Sequence, residues 1–153
     1  MPSLGRIEQL PAVKAIGIQF LKAHQEVYVR SGGRIGHRLF GTRNLILRTV
    51  GAKTGAQRVN ALTYAPDGDS FVIVASNGGA AKSPGWYHNL RARPETEVQV
   101  GTRRIPARAK VVLGDDPDRD RLWRLVNAHN DNRYRGYQRA TDRVIPIVVL
   151  SPR

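Results

Sequence analysis

The sequence contains no cysteine, so the chain forms neither disulfides nor thiolate-ligated zinc or iron–sulfur sites. A reducing or redox-indifferent compartment is the simplest setting, and we expect the protein to be cytoplasmic. The histidines lie far apart and match no metal-binding motif. They are His24, His37, His88 and His129. The sequence therefore gives no support for metal-dependent catalysis.

Long hydrophobic runs are also missing. An apolar stretch near the N-terminus, residues 13–21, is interrupted by Lys14 and followed at once by Lys22. A membrane-spanning helix needs about 20 apolar residues, and a secretory signal needs an uninterrupted apolar centre. We therefore expect a soluble protein that at most lies on a membrane surface.

Acidic residues are scarce and unevenly distributed. The chain has 25 Lys and Arg against 12 Asp and Glu, a formal net charge of +13, and no acid lies between Glu26 and Asp67. The cations of that interval are Arg30, Arg34, Arg38, Arg43, Arg48, Lys53 and Arg58. Such a segment attracts a polyanionic small molecule, an anionic membrane face or nucleic acid, and a solvated basic surface is the alternative.

The length of 153 residues, 41% of them hydrophobic, is typical of a single domain with one core. Residues 1–33 are predicted to form an amphipathic helix and a connector, and residues 34–153 the main body. Apolar residues recur at helical spacing from Val13 to Tyr28, through Phe20, Leu21 and Val27. We expect this face to pack on the main body, with membrane contact as the alternative.

From residue 44 onward the pattern changes to short strands separated by turn residues, which is typical of an antiparallel sheet or barrel. The predicted strands are 44–50, 58–65, 70–76, 97–101, 105–113 and 144–150. Further helices are predicted near 83–93 and 118–127, where serine or aspartate precedes proline. The result is an α+β arrangement of about six antiparallel strands with three or four helices.

The segment from Gly51 to Arg58 is a candidate anion-binding turn. It reads GAKTGAQR, and its backbone amides, the Thr54 hydroxyl and the charges of Lys53 and Arg58 suit a phosphate or carboxylate. The glycine spacing of a Walker loop is absent, and so is the S-x-x-K motif of penicillin-binding enzymes. Taken alone, the segment also fits a solvated turn.

Two further segments carry candidate ligand contacts. The predicted strand 70–76 opens into the loop Ala75-Ser76-Asn77-Gly78-Gly79, whose glycines allow a flat ring to approach and whose amides can bond its polar edge. The segment 83–90 is predicted to be helical and places Trp86 and Asn89 on one face. Core packing is the alternative role for Trp86.

In their order and spacing, these three segments resemble the deazaflavin-dependent nitroreductase family of actinobacteria. The family pattern runs G-x-K-[ST]-G-x-x-R, then A-S-x-G-G, then P-x-W-Y-x-N-L, and the likeness extends from about Val27 through the stretch 137–147. The joint occurrence is specific, whereas each piece alone is common. Ala61 stands near a position where proline is common, and Asp131 replaces a family tyrosine, which leaves the substrate pocket undefined.

The resemblance implies a split β-barrel, of the kind that also binds FMN, whose cofactor is coenzyme F-420 (8-hydroxy-5-deazaflavin). The turn would hold the phosphate and the acidic oligoglutamate tail, and the glycine loop and short helix would hold the ring. The implied cofactor-binding residues are Lys53, Thr54, Gly55, Arg58, Ala75, Ser76, Asn77, Gly78, Gly79, Trp86 and Asn89. The implied residues at the reacting acceptor are Ser76, Tyr134 and Tyr137.

The implied activity is hydride transfer from the reduced deazaflavin to an electron-poor small molecule such as a quinone, an enone or a nitro compound. The cofactor performs the difficult step, so the protein supplies orientation, exclusion of water and stabilisation of negative charge. The proton can come from solvent, Ser76 or Tyr134, and the sequence does not rank these sources.

Two other functions compete with this interpretation. A related split-barrel protein that binds FMN or a tetrapyrrole-like ligand would not need the paired cations Lys53 and Arg58. A nucleic-acid-binding module is suggested by the net charge of +13 and by the arginines beside Tyr134 and Tyr137. No recognition helix or aromatic–basic strand motif supports it, and we expect no nucleic-acid partner.

Overall fold

The computed structural model describes residues 11–39 and 42–153, with the backbone alone at residues 11–18 and 39. The helices are α1 (Pro11–Arg30), α2 (Gly85–Ala92), α3 (Arg119–Ala128) and α4 (Arg133–Arg139), and a 3-10 turn spans Asn77–Gly79. The strands are β1 (Arg38–Leu39), β2 (Thr42–Val50), β3 (Gln57–Asp67), β4 (Ser70–Val74), β5 (Glu95–Val100), β6 (Arg103–Val112) and β7 (Ile147–Pro152).

Six of these strands close into an antiparallel barrel. They follow one another in the order β2, β3, β4, β7, β6 and β5, and β5 pairs back onto β2. In that closing pair Leu47 lies opposite Val98. The two-residue strand β1 adds a short pairing to β2. The predicted α+β fold, with about six antiparallel strands and three or four helices, is therefore confirmed.

The alternation of side chains along the strands gives two hydrophobic clusters. Leu45, Leu47, Ile73 and Leu150 belong to the first cluster, are fully buried, and are joined by Leu90 from α2. The second cluster joins other strand residues to α3 and α4, and comprises Ala65, Val72, Val74, Val112, Leu122, Val126, Tyr134, Ile145 and Ile147. Burial of each large aliphatic side chain contributes about 1.5 to 3 kcal/mol, so these clusters supply the main driving force for folding.

Among the described side chains of helix α1, most of the predicted apolar face does not pack on the barrel. Phe20, Leu21 and Val27 are exposed, so the expected packing is wrong at these positions, and Tyr28 is the fully buried member of that face. The side chains predicted for its first part lie outside the described residues. None of the described helices, α1 included, has the length and apolarity that crossing a membrane requires.

The Tyr28 hydroxyl fixes the C-terminal end of α1. It donates to the Asn44 carbonyl at 2.9 Å and accepts from the Gly101 N–H at 3.0 Å. Burial raises the pKa of Tyr28, so the hydroxyl keeps its proton. Nearby, a Cβ on Gly33 would overlap the Gly101 carbonyl, and the φ of Gly33 is +89°. The helix end can therefore approach the β5–β6 turn only because residue 33 is glycine.

The barrel is open along one edge of β3. Residues 57–64 pair with β2, whereas only residues 65–67 pair with β4. Gln25 of α1 covers part of the remaining edge: its Nε2 donates to the Val59 carbonyl at 3.1 Å, and its Oε1 accepts from the Ala61 N–H at 2.9 Å. One amide side chain thus makes two of the hydrogen bonds that a neighbouring strand would make. The rest of this edge of β3 borders a gap between β3 and the end of β4.

Among the strand boundaries that differ from the sequence prediction, two lie where β4 and β7 meet the loop after β4. Strand β4 ends at Val74 rather than Ser76, because Ser76 has helical dihedrals (φ −76°, ψ −36°). Strand β7 begins at Ile147 rather than Val144, since Pro146 has no N–H to donate to a ladder. The Pro146 carbonyl accepts instead from the Ala75 N–H at 2.9 Å. Both changes shorten the ladder where the chain leaves the barrel.

Replacing Tyr28 by phenylalanine tests the attachment of α1. The change leaves the Gly101 N–H without its partner inside the protein, so we expect the free energy of unfolding to fall by about 1 to 3 kcal/mol. Denaturant titration of both proteins measures the difference.

The matched control is Tyr64→Phe, because the Tyr64 hydroxyl is also in the core region but forms no hydrogen bond to any described residue. Its free energy of unfolding should stay close to that of the unchanged protein. Equal effects of the two substitutions would show that the Tyr28 hydrogen bonds do not hold the helix.

Candidate functional site

The two predicted binding segments lie at the same end of the barrel. Strands β2 and β4 are both antiparallel to β3, so they run in the same direction. The turn that follows β2 and the loop that follows β4 therefore emerge together. Helix α2, which follows this loop, packs against β2. The order of strands thus brings segments about 20 residues apart in sequence to one end of the molecule.

The turn between β2 and β3 is held by its own hydrogen bonds. The Gly51 N–H donates to the Ala56 carbonyl at 2.7 Å, and the Gly55 N–H donates to the Gly51 carbonyl at 2.9 Å. The Thr54 hydroxyl accepts from the Ala56 N–H at 3.2 Å. Gly55 has a φ of +71°, which favours glycine. Thr54 and Gly55 therefore shape the turn.

Lys53 and Arg58 are the exposed cations of this turn. Neither forms an ion pair within the part of the chain that the structure describes. Arg58 lies opposite Thr49 in the ladder, on the face that carries Leu45 and Leu47 inside the barrel. Because side chains alternate along a strand, Arg58 leaves β3 on the inner face at the open end. Both charges can meet an anionic ligand there.

Asn89 connects α2 to this turn. Its Oδ1 accepts from the Ala52 N–H at 2.9 Å, and its Nδ2 donates to the Thr49 hydroxyl at 3.1 Å. Trp86, one turn earlier, belongs to the first hydrophobic cluster and is 6% exposed. Both side chains lie beneath the surface, so their geometry favours support of the turn over direct contact with a ring. Their predicted contact with the cofactor stays a prediction.

The loop after β4 presents backbone donors. Ser76 is right-handed and Asn77 left-handed (φ +47°), a sequence of conformations that turns successive N–H groups into one concave surface. The Ser76 and Asn77 N–H groups donate to no other described residue. Ala75, in contrast, is fully buried, and its N–H donates to Pro146. Residues 76 and 77 thus offer unused donors for a ligand.

The two glycines of this loop have different surroundings. A Cβ on Gly78 would meet nothing within 4 Å, so the loop surface is open there. A Cβ on Gly79 would lie 2.8 Å from the Tyr137 carbonyl oxygen and 3.0 Å from the Ala140 Cβ. Gly79 therefore allows the loop to lie directly on α4. The Asn77 side chain closes the loop from within, since its Nδ2 donates to the Lys82 carbonyl at 3.0 Å.

Arg143 binds the underside of this loop, a role that the sequence analysis missed. Its guanidinium donates to the carbonyls of Ser76 and Ala80, both at 2.8 Å, and to the carbonyl of Ala75 and the hydroxyl of Ser83, both at 3.2 Å. Burial lowers the pKa of Arg143. The only signal in the sequence was its place in the family-like stretch 137–147.

The two predicted tyrosines have different environments. Tyr134 is buried in the second cluster, and burial raises its pKa far above the usual range, so its phenol stays protonated. Tyr137 is only partly buried, packs on the same cluster, and its ring centre lies 6.3 Å from that of Tyr134 in a T-shaped contact. Because Gly79 touches the Tyr137 backbone, Tyr137 is the one nearer the loop surface.

Taken together, this end of the barrel supplies N–H donors, hydroxyls and positive charge. The Ser76 hydroxyl has no hydrogen-bond partner among the described residues and is largely shielded, with 8% of the residue exposed. Such a surface suits an anionic ligand with a flat polar edge.

Comparison with known proteins agrees with this geometry. Residues 20–152 match the family model described as F420H(2)-dependent quinone reductase. The chain is 52% identical over 139 residues to the F420H(2)-dependent quinone reductase Rv1261c of Mycobacterium tuberculosis, a match that covers 90% of this chain and 93% of that protein.

Solved structures agree as well. An F420-H2 dependent reductase (FDR-A) superposes with a TM-score of 0.63 at 33% identity, covering 71% of this chain and 93% of that one. The haem storage protein HutZ of Vibrio cholerae superposes with a TM-score of 0.57 at 13% identity, covering 84% and 90%, and shares the fold alone. The motifs, the barrel and the relatives lead to one conclusion: the chain belongs to the F420H(2)-dependent quinone reductase family.

Proposed function

We propose that the protein transfers a hydride from reduced coenzyme F-420 to a quinone or another electron-poor small molecule. The observation that carries the proposal is the presence, at one end of the barrel, of two cations and two backbone donors that have no partner among the described residues. The relatives that are named quinone reductases support the choice of acceptor. When bound, the reduced deazaflavin supplies the hydride.

The residues at this end fit such a cofactor. Lys53 and Arg58 would hold its phosphate and carboxylates, because both cations are exposed and lack an acidic partner among the described residues. The Ser76 and Asn77 N–H groups would bond the polar edge of its ring. The open surface at Gly78, which any side chain would obstruct, leaves room for the ring to approach.

The chain's own polar groups would handle the proton that accompanies reduction of the acceptor. The Ser76 hydroxyl has no other partner in the described residues, so it can donate at the loop surface. Tyr137 lies beside the same loop. The Tyr134 phenol, buried in the second cluster with a raised pKa, is better suited to supporting Tyr137 than to exchanging protons with a ligand.

The direct test is a spectroscopic titration of the purified protein with coenzyme F-420 and, in parallel, with FMN. We expect saturable binding of F-420 with a preference over FMN, followed by oxidation of the reduced cofactor when a soluble quinone is added. Saturable binding of FMN without any binding of F-420 would establish the split-barrel flavin protein as the correct alternative.

Replacing both Lys53 and Arg58 by alanine tests the anion site. Each charge-assisted contact contributes about 1.5 to 3 kcal/mol, so the double variant should bind F-420 at least about a hundredfold more weakly while the fold is retained. Added salt should weaken binding to the unchanged protein because exposed charges are screened over about 8 to 10 Å. Fluorescence titration at several salt concentrations measures both effects.

A control for net charge is the double variant Arg103→Ala and Arg124→Ala. Both residues are exposed, and Arg103 lies at the β5–β6 turn, at the opposite end of the barrel from the anion site. This variant removes the same charge but should keep the original affinity. Equal weakening in the two double variants would mean that the overall field, rather than the turn, attracts the cofactor.

Tyr137→Phe and Ser76→Ala test the acceptor side. A hydroxyl that donates to the reduced acceptor acts mainly in the transition state, so each change should lower kcat with a quinone about tenfold or more and leave F-420 affinity nearly intact. Tyr134→Phe is the matched control, because its phenol is buried, and should keep kcat. Steady-state kinetics with several acceptors measure these effects, and thermal melts show whether a variant is also less stable. Full activity in both test variants would exclude Ser76 and Tyr137 as proton donors.

Contact of α1 with a membrane surface is a further proposal. The exposed Phe20, Leu21 and Val27 provide the apolar side chains that such contact needs. When anionic lipid vesicles are sedimented, the unchanged protein should be found in the pellet with them. A variant with Phe20, Leu21 and Val27 all replaced by serine should stay in the supernatant. If both proteins sediment with the vesicles, the basic surface alone accounts for the binding.

A further inference from the structure

The loop at residues 75–83 is bound from below by a single side chain that comes from 60 or more residues later in the sequence. The Arg143 guanidinium donates four hydrogen bonds to this loop. Two of them come from one nitrogen, Nη2, and go to the consecutive carbonyls of Ala75 and Ser76. These two contacts fix two successive peptide planes. The loop conformation therefore depends on an interaction that lies outside the loop.

The direction of these carbonyls determines the direction of the neighbouring N–H groups. In a planar trans peptide the carbonyl and the following N–H point in opposite directions. The carbonyl of Ala75 shares a peptide unit with the Ser76 N–H, and the carbonyl of Ser76 shares one with the Asn77 N–H. Because both carbonyls point toward Arg143, both N–H groups point away from it, toward the side left for a ligand.

Stability alone does not account for this arrangement. Folded proteins pair nearly all buried backbone donors, yet the N–H group of Ser76, a residue only 8% exposed, donates to no described residue, and neither does that of the exposed Asn77. An arginine that only stabilised the loop would not need to leave two adjacent donors unpaired on its far side. We propose that Arg143 is a positioning residue that holds the Ser76 and Asn77 N–H groups toward the cofactor.

Arg143 is itself held in place by α4. The Gln138 side chain donates through Nε2 to the Arg143 carbonyl at 2.8 Å and accepts from the Ile145 N–H at 3.0 Å. Gln138 follows Tyr137, whose backbone touches Gly79 of the loop. The helix that carries the proposed acceptor residue and the loop that carries the proposed ring donors are thereby joined through Arg143, whose carbonyl accepts from the helix and whose guanidinium donates to the loop.

The inference rests on the proposed function for the identity of the ligand, and it is tested with Arg143→Ala and Arg143→Lys. Loss of the guanidinium should lower the affinity for oxidised F-420 at least about tenfold, as expected when one hydrogen bond to the ligand is lost. Without cofactor, the amides of Gly79 and Ala80, whose N–H groups donate to the Ser76 and Asn77 carbonyls, should exchange hydrogen faster. Lysine has one donor group and reaches fewer carbonyls, so it should restore part of the affinity.

Arg119→Ala is the matched control. Its guanidinium is also half-buried, and it donates to two carbonyls, those of Val112 at 3.3 Å and Ile145 at 2.9 Å, outside the loop. Thermal stability should fall in this variant while F-420 affinity and exchange in the loop stay unchanged. The KM for reduced F-420 should rise in the Arg143 variants, and the KM for the quinone should not.

Several results would overturn the inference. Unchanged exchange at Gly79 and Ala80 in the Arg143 variants would do so, as would equal loss of affinity in the Arg119 and Arg143 variants at matched stability. If Arg143→Ala does not fold, Arg143→Lys decides, because its folded form must still bind F-420 more weakly. Failure of the unchanged protein to bind F-420 refutes the proposed function instead, while the exchange measurement still reports whether Arg143 sets the loop.

Discussion

Strand β3 has 11 residues, and its neighbour β4 has 5. The difference leaves residues 57–64 of β3 paired with β2 alone, so the barrel is open along this stretch of β3. The other features of the site follow from this difference in strand length. The side chain of Gln25 completes part of the edge, the chain after β4 folds into a loop instead of a ladder, and Arg143 holds that loop.

The site that results is made largely of backbone. Its proposed ligand contacts are N–H groups of residues 76 and 77 and the cations Lys53 and Arg58, whereas Asn89 and Trp86 act from beneath. Such a surface binds and orients, and it suits a cofactor that carries its own reactivity.

The sequence predicted the features that depend on local pattern. Short strand segments separated by turn residues predicted about six antiparallel strands in a sheet or barrel, and the three motifs, in their order and spacing, indicated the family and with it the split barrel. The interactions of Gln25 and Arg143 were not predictable in this way, because each joins polar side chains to backbone groups 34 to 68 residues distant, and hydrophobic periodicity carries no information about such contacts. The exposure of Phe20, Leu21 and Val27 was missed for the converse reason: periodicity shows that a face is apolar, but not what covers it.

The hydrogen bonds of Gln25 have a consequence for solubility. An uncovered strand edge is a template on which a second chain can add a strand, and natural proteins block such edges to avoid aggregation. Gln25 occupies the Val59 carbonyl and the Ala61 N–H, which lie near the middle of the one-sided stretch of β3. A single helical side chain thus blocks part of this edge against the pairing of a second chain, while the rest of the edge stays open.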